Sequence, residues 1–241
     1  MKTRKSSNLR TSAEPFLDYL DRWYADLPVV SLQSLLKEVP GDETALVIVD
    51  VVNGFCKEGK LSSPRVARIV PAVAQLVRRA EKLGVSHYLL PQDQHPGNSL
   101  EFRIYPDHCI EGSAESETVD ELRRLPNAHK FKIFPKRSIN PGMEERLQGW
   151  LEQNPGVRQF IVTGDCTDIC VHQMAMFLKI RSVVKNSAVG IVVPADCVDT
   201  YNLDVPRDPR NGPPPHPGDL MHRFFLYHMH LNGIRIVAGI E

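Results

Sequence analysis

The stretch QFIVTGDCTDICVHQMAMFL at residues 159–178 carries the decision about the fold. Phe160, Ile161, Val162 and Thr163 form an apolar, β-branched run without alternation, the pattern of a strand buried on both faces. The pattern breaks after Gly164, and Val171, Met174, Phe177 and Leu178 resume at helical spacing. A buried strand that turns into an amphipathic helix is half of a βαβ unit. Working outward, similar runs recur as ALVIVD at 45–50, VSHYLLP at 85–91, VGIVVP at 189–194 and IRIVAG at 234–239. Helical stretches are expected between them, near 65–83, 115–125, 143–153, 169–181 and 218–231. The clearest is 65–83, where Val66, Ile69, Val70, Val73, Leu76, Val77, Ala80 and Leu83 share a stripe that Gly84 ends. A sixth strand is expected around 130–134. The sum predicts an α/β fold, a three-layer α/β/α sandwich with a mainly parallel, roughly six-stranded sheet.

The chain has 241 residues, 42% hydrophobic and 24% charged, an ordinary globular composition that excludes collagen-like, coiled-coil and wholly disordered classes. Twenty-nine basic residues balance twenty-nine acidic ones, so no electrostatic case exists for nucleic acid or a membrane surface as partner. No apolar run approaches the roughly 20 residues of a membrane-spanning helix. The basic start MKTRKSSNLR is not followed by the apolar core of a secretory signal. Five cysteines, odd in number and without a CxxC pair, suit reduced thiols in a cytoplasmic protein. Residues 1–44 read as an N-terminal helical extension, with Phe16, Leu17, Leu20 and Trp23 at amphipathic spacing, ahead of one domain over 45–241. The extension is expected to pack on that domain or on a partner subunit. Six prolines in NLDVPRDPRNGPPPHP at 202–217 forbid a helix and predict a stiff excursion, either a lid or an interface arm.

Ligands of an open parallel sheet bind beyond the carboxyl ends of its strands. The residues there are Asp50 after the first run, Asp93 and His95 after the second, Lys136 after the short one, and the segment TGDCTDIC leading to Cys170. If Thr167 or Asp168 caps the following helix, Cys170 lies in its first turn, where the orphan amides and helix dipole favour a thiolate and can hold an oxyanion. The alternative is an inert buried thiol. Asp50, behind four apolar residues, is placed to exchange protons or to cap a loop, and Lys136 offers a cation or is one more solvated lysine. Asp93 and His95, two apart on an extended stretch, project to one side, and His108 follows thirteen residues later. One carboxylate and two imidazoles match the ligand count of a catalytic divalent ion with open positions, although such pairs also arise by chance. His222, His228 and His230, set among Leu220, Phe224, Phe225, Leu226 and Tyr227, read as packing residues, and His172 carries no signal.

Five ordered motifs extend this reading: DVVNGFC at 50–56, QDQHP at 92–96, YPDHCIEGSAESE at 105–117, PKRSIN at 135–140 and TGDCTDICV at 163–171. Together they resemble the isochorismatase-like cysteine hydrolases, and among these the nicotinamidases, with HPGDLMH at 216–222 resembling the plant-type branch. The resemblance runs from about residue 44 to the C-terminus. It implies an amidohydrolase that converts nicotinamide to nicotinate and ammonia in NAD salvage, with Asp50, Lys136 and Cys170 as catalytic residues and Cys170 as nucleophile. It implies an oxyanion hole from the Cys166 and Cys170 backbone amides, a cis peptide at Asp165–Cys166, and Phe55 and Tyr105 around the substrate ring. Asp93, His95 and His108 are implied as ligands of one divalent metal ion, zinc, or else iron or manganese, and relatives are commonly homo-oligomers. DQHP in place of DWHP, and Cys166 where many relatives have Ala, are departures from the pattern. Other substrates of the same superfamily are enol ethers such as isochorismate and carbamoyl or ureido compounds. A non-catalytic binding protein on this fold is the rival of another class.

Overall fold

Val, Ile and Leu runs that can bury both faces become the strands, and the computed structural model describes them within residues 8–208 and 212–241. In chain order the elements are α1 (Leu9–Ala25), β1 (Val29–Val30), α2 (Leu32–Glu38), β2 (Thr44–Val49), α3 (Asn53–Cys56), α4 (Pro64–Ala67), α5 (Val70–Lys82), β3 (His87–Asp93), α6 (Asp120–Arg123), β4 (Phe131–Lys136) and α7 (Glu145–Gln153). There follow β5 (Gln159–Asp165), α8 (Cys170–Val184), β6 (Gly190–Pro194), β7 (Val198–Asp199), α9 (Gly218–Leu231), β8 (Arg235–Val237) and β9 (Gly239–Ile240). The main sheet runs β4-β3-β2-β5-β6-β8, all pairs parallel, with the short β7 joining the end of β5. The α/β class and the parallel six-strand path agree with the pattern read from sequence.

Alternation along β2 creates the layers. Leu46 and Ile48 face a core with Leu32, Leu35, Val73, Leu76, Val77 and Leu122, whereas Ala45, Val47 and Val49 face one with Leu147, Trp150, Val171, Met174, Leu178, Leu226 and Met229. The chain steps outward from β2 to β4 with α5 and α6 on the first face. It then returns beside β2 as β5 and steps the other way with α7, α8 and α9 on the second. Winding outward in opposite directions leaves a crevice where the two halves diverge, at the carboxyl ends of β2 and β5.

Three expected helices differ in detail. The helix expected at 65–83 is two pieces: the Ser63 side chain caps α4, and Pro71 at the start of α5 cannot continue a helix from Arg68 and Ile69. The stretch 115–125 is α-helical only over α6, after a single 3-10 turn at Ala114–Ser116, because its backbone is used elsewhere. Asn53 N–H donates to Glu117 O and Val119 N–H to Val51 O. Neither Thr167 nor Asp168 caps α8, whose N-cap is Ile169 without a side-chain cap bond. The run at 234–239 divides at Ala238, whose N–H is taken by Pro28 O, and β9 pairs instead with β1.

Upstream of β2, α1 packs on α9 through Phe16, Tyr19 and Trp23 around Tyr227, while Leu32 and Leu35 of α2 lie fully inside the first core. The proline segment closes on itself, since Leu203 and His216 exchange backbone bonds of 2.8 and 2.7 Å. Residues 209–211 of that segment, and 1–7 of the basic start, fall outside the described residues. No helix among the described residues is long and apolar enough to cross a membrane.

Gly164 sets the approach of β5 to β2. Its φ is +109°, and an added Cβ would stand 1.9 Å from Val49 O. Gly164→Ala is expected to cost at least about 3 kcal/mol, lowering the thermal midpoint by roughly 6–12 °C in a melt followed by circular dichroism.

Candidate active site and metal centre

β2, β3 and β4 are neighbours, and the level ends of β3 and β4 make Asp93 and Lys136 direct strand partners, while Asp50, just past β2, reaches Asp93 with its side chain. Asp50 follows the last residue of β2 with φ +55°, which turns the chain out of the sheet, and its Oδ1 accepts a 2.7 Å bond from Asp93 N–H. Lys136 lies entirely out of solvent. Its Nζ is 2.8 Å from Asp50 Oδ2, 2.5 Å from Asp93 Oδ1 and 3.3 Å from Cys170 Sγ. The structure thus brings Asp50, Lys136 and Cys170 into one buried cluster, with the lysine touching both of the others.

Burial pushes Asp50 up to about 7, against the pull of Lys136 and with the help of the Asp93 charge. Asp93 also feels burial, but the Lys136 charge and the facing His108 and His95 rings overcome it and hold this carboxyl below its usual range. Desolvation works against the Lys136 charge as well, yet Asp50 and Asp93 outweigh it and keep the ammonium. Burial raises the Cys170 thiol well above its usual value, with Lys136 opposing, so an adjacent proton acceptor is what would make it a nucleophile. Asp165, buried in the same interior, is raised first by desolvation and then by Asp50, which favours its neutral form.

Cys170 is the first residue of α8 and is buried, so the first-turn placement holds although the cap does not. Ahead of it, the Asp165–Cys166 peptide is cis. The Cys166 carbonyl accepts from Ile169 and Val171 N–H. Among the described residues, no backbone carbonyl outside the regular elements accepts from Cys166 or Cys170 N–H. The two implied oxyanion donors are therefore on the same turn, without a backbone partner there.

Asp93, His95 and His108 are buried and offer ligand atoms that all lie within 4.8 Å of one another. His95 Nε2 is 3.2 Å from Asp93 Oδ1, and His108 Nε2 is 3.5 Å from Asp93 Oδ2. His108 Nδ1 is 2.7 Å from Pro106 O, a contact that puts its proton on Nδ1 and leaves the Nε2 lone pair inward. Beyond its Asp93 contact, buried His95 Nε2 has no partner among the described residues. A carboxylate and two imidazole nitrogens converging in this way can hold a divalent metal. Phe55 and Tyr105 flank His108, with ring centroids 5.6 and 6.4 Å away. Phe102, which carried no signal in the sequence, stands edge-on to His95 at 5.5 Å and His108 at 5.7 Å.

Against known proteins, the isochorismatase domain model matches residues 44–208, more than half of the chain. The chain is 29% identical over 243 aligned residues to nicotinamidase 1 of Arabidopsis thaliana, covering 86% of this chain and 95% of that protein. Among solved structures, the pyrazinamidase of Pyrococcus horikoshii in complex with zinc superposes with a TM-score of 0.62 at 23% identity, over 81% of this chain and 98% of that one. The N-carbamoylsarcosine amidase of Thermoplasma acidophilum superposes with a TM-score of 0.59, also at 23% identity, over 80% and 95%. Several amidases thus share the fold, and the domain match places this chain in the isochorismatase-like hydrolase family.

Proposed function

We propose that the protein is a nicotinamidase, which hydrolyses nicotinamide to nicotinate and ammonia through a thioester on Cys170. The observation that carries this reading is the Lys136 ammonium touching Asp50, Asp93 and Cys170 Sγ together, next to the three-ligand group. The Arabidopsis nicotinamidase supports the substrate assignment.

In this mechanism Asp50 accepts the Cys170 proton, and Lys136 stabilises the thiolate that forms, a nucleophile activated without a histidine. Attack on the carboxamide carbon yields a tetrahedral oxyanion held by the Cys166 and Cys170 amides, each donor being worth about 3 kcal/mol. Asp50 returns the proton as ammonia departs. The same carboxylate then deprotonates water for attack on the thioester, and Cys170 leaves as a thiolate beside Lys136. Phe55, Tyr105 and Phe102 provide flat apolar walls suited to an aromatic ring. Asp93, His95 and His108 would hold a divalent ion, zinc in this proposal, which would supply a Lewis-acid contact for the pyridine nitrogen. Orientation by that contact belongs to binding as much as to chemistry.

Ammonia release from nicotinamide tests the reading. Wild type is expected to turn over, and Cys170→Ala to lose roughly 10⁴-fold or more in kcat while keeping its melting curve and metal content. Residual turnover near wild type would overturn the nucleophile, and release from a carbamoyl compound but not from nicotinamide would overturn the substrate. His95→Ala and His108→Ala are expected to lose stoichiometric zinc in elemental analysis and to raise KM for nicotinamide by roughly tenfold or more. Wild type purified with zinc in the medium and carrying none would overturn the metal assignment.

A further inference from the structure

The side chains that fail to cap α8 are held from the other side. Thr167 is fully buried, and its Oγ1 lies 2.9 Å from His222 Nδ1. Its N–H donates to Asp199 O at 3.0 Å. His222 Nε2 lies 3.2 Å from the Tyr24 hydroxyl on α1. One residue further, Asp168 Oδ2 meets His216 Nε2 at 2.8 Å, His216 Nδ1 meets Tyr201 O at 2.9 Å, and the two rings stack with centroids 3.9 Å apart. The turn between β5 and α8 is therefore gripped by two buried histidines from one short segment, 216–222. Arg65 braces the same wall, bonding Asp199, Asp219 and Thr200 O.

We propose that His222 is a positioning residue for the hydrolytic site: by holding Thr167 it fixes the Cys166–Cys170 turn that carries the two oxyanion amides, and through Tyr24 it makes α1 part of that support. The proposal rests on the reading of Cys170 as nucleophile. Thr167 stands between the two peptide units concerned. The Cys166 carbonyl is tied to the N-terminus of α8 by Ile169 and Val171 N–H. A rotation about the Cys166 backbone would swing its N–H away from its tied carbonyl, and the adjoining Thr167 is anchored against such movement by its N–H on Asp199 O and by its side chain on His222. A donor displaced by about 1 Å loses most of its differential hold on a developing oxyanion.

Burial lowers His222 to about 4, with Asp199 and Asp219 pulling upward and Arg65 and Arg223 downward, so it serves as a neutral imidazole. A neutral ring has one donor and one acceptor nitrogen, and both neighbours are hydroxyls that can play either part. The chain Thr167, His222, Tyr24 is thereby satisfied without a charge, and both hydroxyls keep a fixed direction.

Kinetics on nicotinamide, with melting curves, test this. His222→Leu and Thr167→Val are each expected to lower kcat by roughly tenfold or more with KM within about threefold of wild type. The double variant is expected to lose no more than the worse single one, because both remove one contact. His222→Asn keeps a polar atom where Nδ1 stood and should recover kcat to within about threefold, whereas His222→Gln, which places its amide where Nε2 stood, should resemble Leu. Tyr24→Phe should give a smaller loss of kcat in the same direction, and an unchanged kcat would remove α1 from the proposal. Losses that multiply in the double variant, a rise in KM with kcat kept, or an Asn variant no better than Leu would overturn it. A second readout needs no substrate: alkylation of Cys170 by iodoacetamide, followed by mass spectrometry, should slow by a common factor of roughly five in the Leu and Val variants. If wild type fails on nicotinamide while this common slowing appears, the substrate assignment falls and the positioning role stands. Alkylation at wild-type rates with unaltered kcat would sink the positioning role by itself.

Discussion

An ammonium with no exposure to solvent is the constraint on which this molecule is built. Removing Lys136 from water is costly, and the cost is recovered only if counter-charges stand at hydrogen-bond distance. Asp93 does so because β3 and β4 end level, in a parallel register that makes Asp93 and Lys136 partners, and Asp50 does so from the turn just past the end of β2. A slip of the register by one residue would turn every side chain over and leave a bare charge in the interior. The sheet and the reactive cluster are therefore one object, and Cys170 joins it because β5 returns on the other side of β2.

The electrostatic consequence is a division of labour between two neighbouring carboxylates. Asp93, bonded by the lysine and facing both histidines, is held below its usual range, in the ionised form that a carboxylate able to hold a metal needs. Asp50 shares the lysine but has less else to stabilise its charge, so burial dominates and it is raised toward neutrality. Paired acids driven apart by their surroundings are the arrangement that general acid–base chemistry uses.

The residues of this cluster were legible because strand ends in a parallel sheet are short, apolar-flanked and point to a common edge. Asp50, Lys136 and Cys170 each follow or end such a run, and the spacing of Asp93 and His95 projects both to one side. What could not be read depended on partners distant in sequence. Thr167 and Asp168 are good capping residues, yet His222 and His216, 55 and 48 positions downstream, claim their side chains. His222 itself looked like core because its neighbours are apolar. The helix expected at 115–125 is shortened to α6 for the same reason, since Val51 and Asn53 take backbone groups that a longer helix would need. Pro71, by contrast, was present in the sequence and marks the break between α4 and α5 that a periodic stripe concealed.

The docking of α1 has a consequence for biosynthesis. Its partners are α9 and, through β1, the strand β9, and its Arg223–Asp21 ion pair joins residues 202 apart. At ribosomal rates of about 5–20 residues per second, Phe16, Leu20 and Trp23 wait roughly 10–40 s before the surface that covers them has been made. During that interval the apolar stripe of an amphipathic segment has nothing to bury it. The contact of Tyr24 with His222, which reaches the turn before α8, would thus be among the last to form.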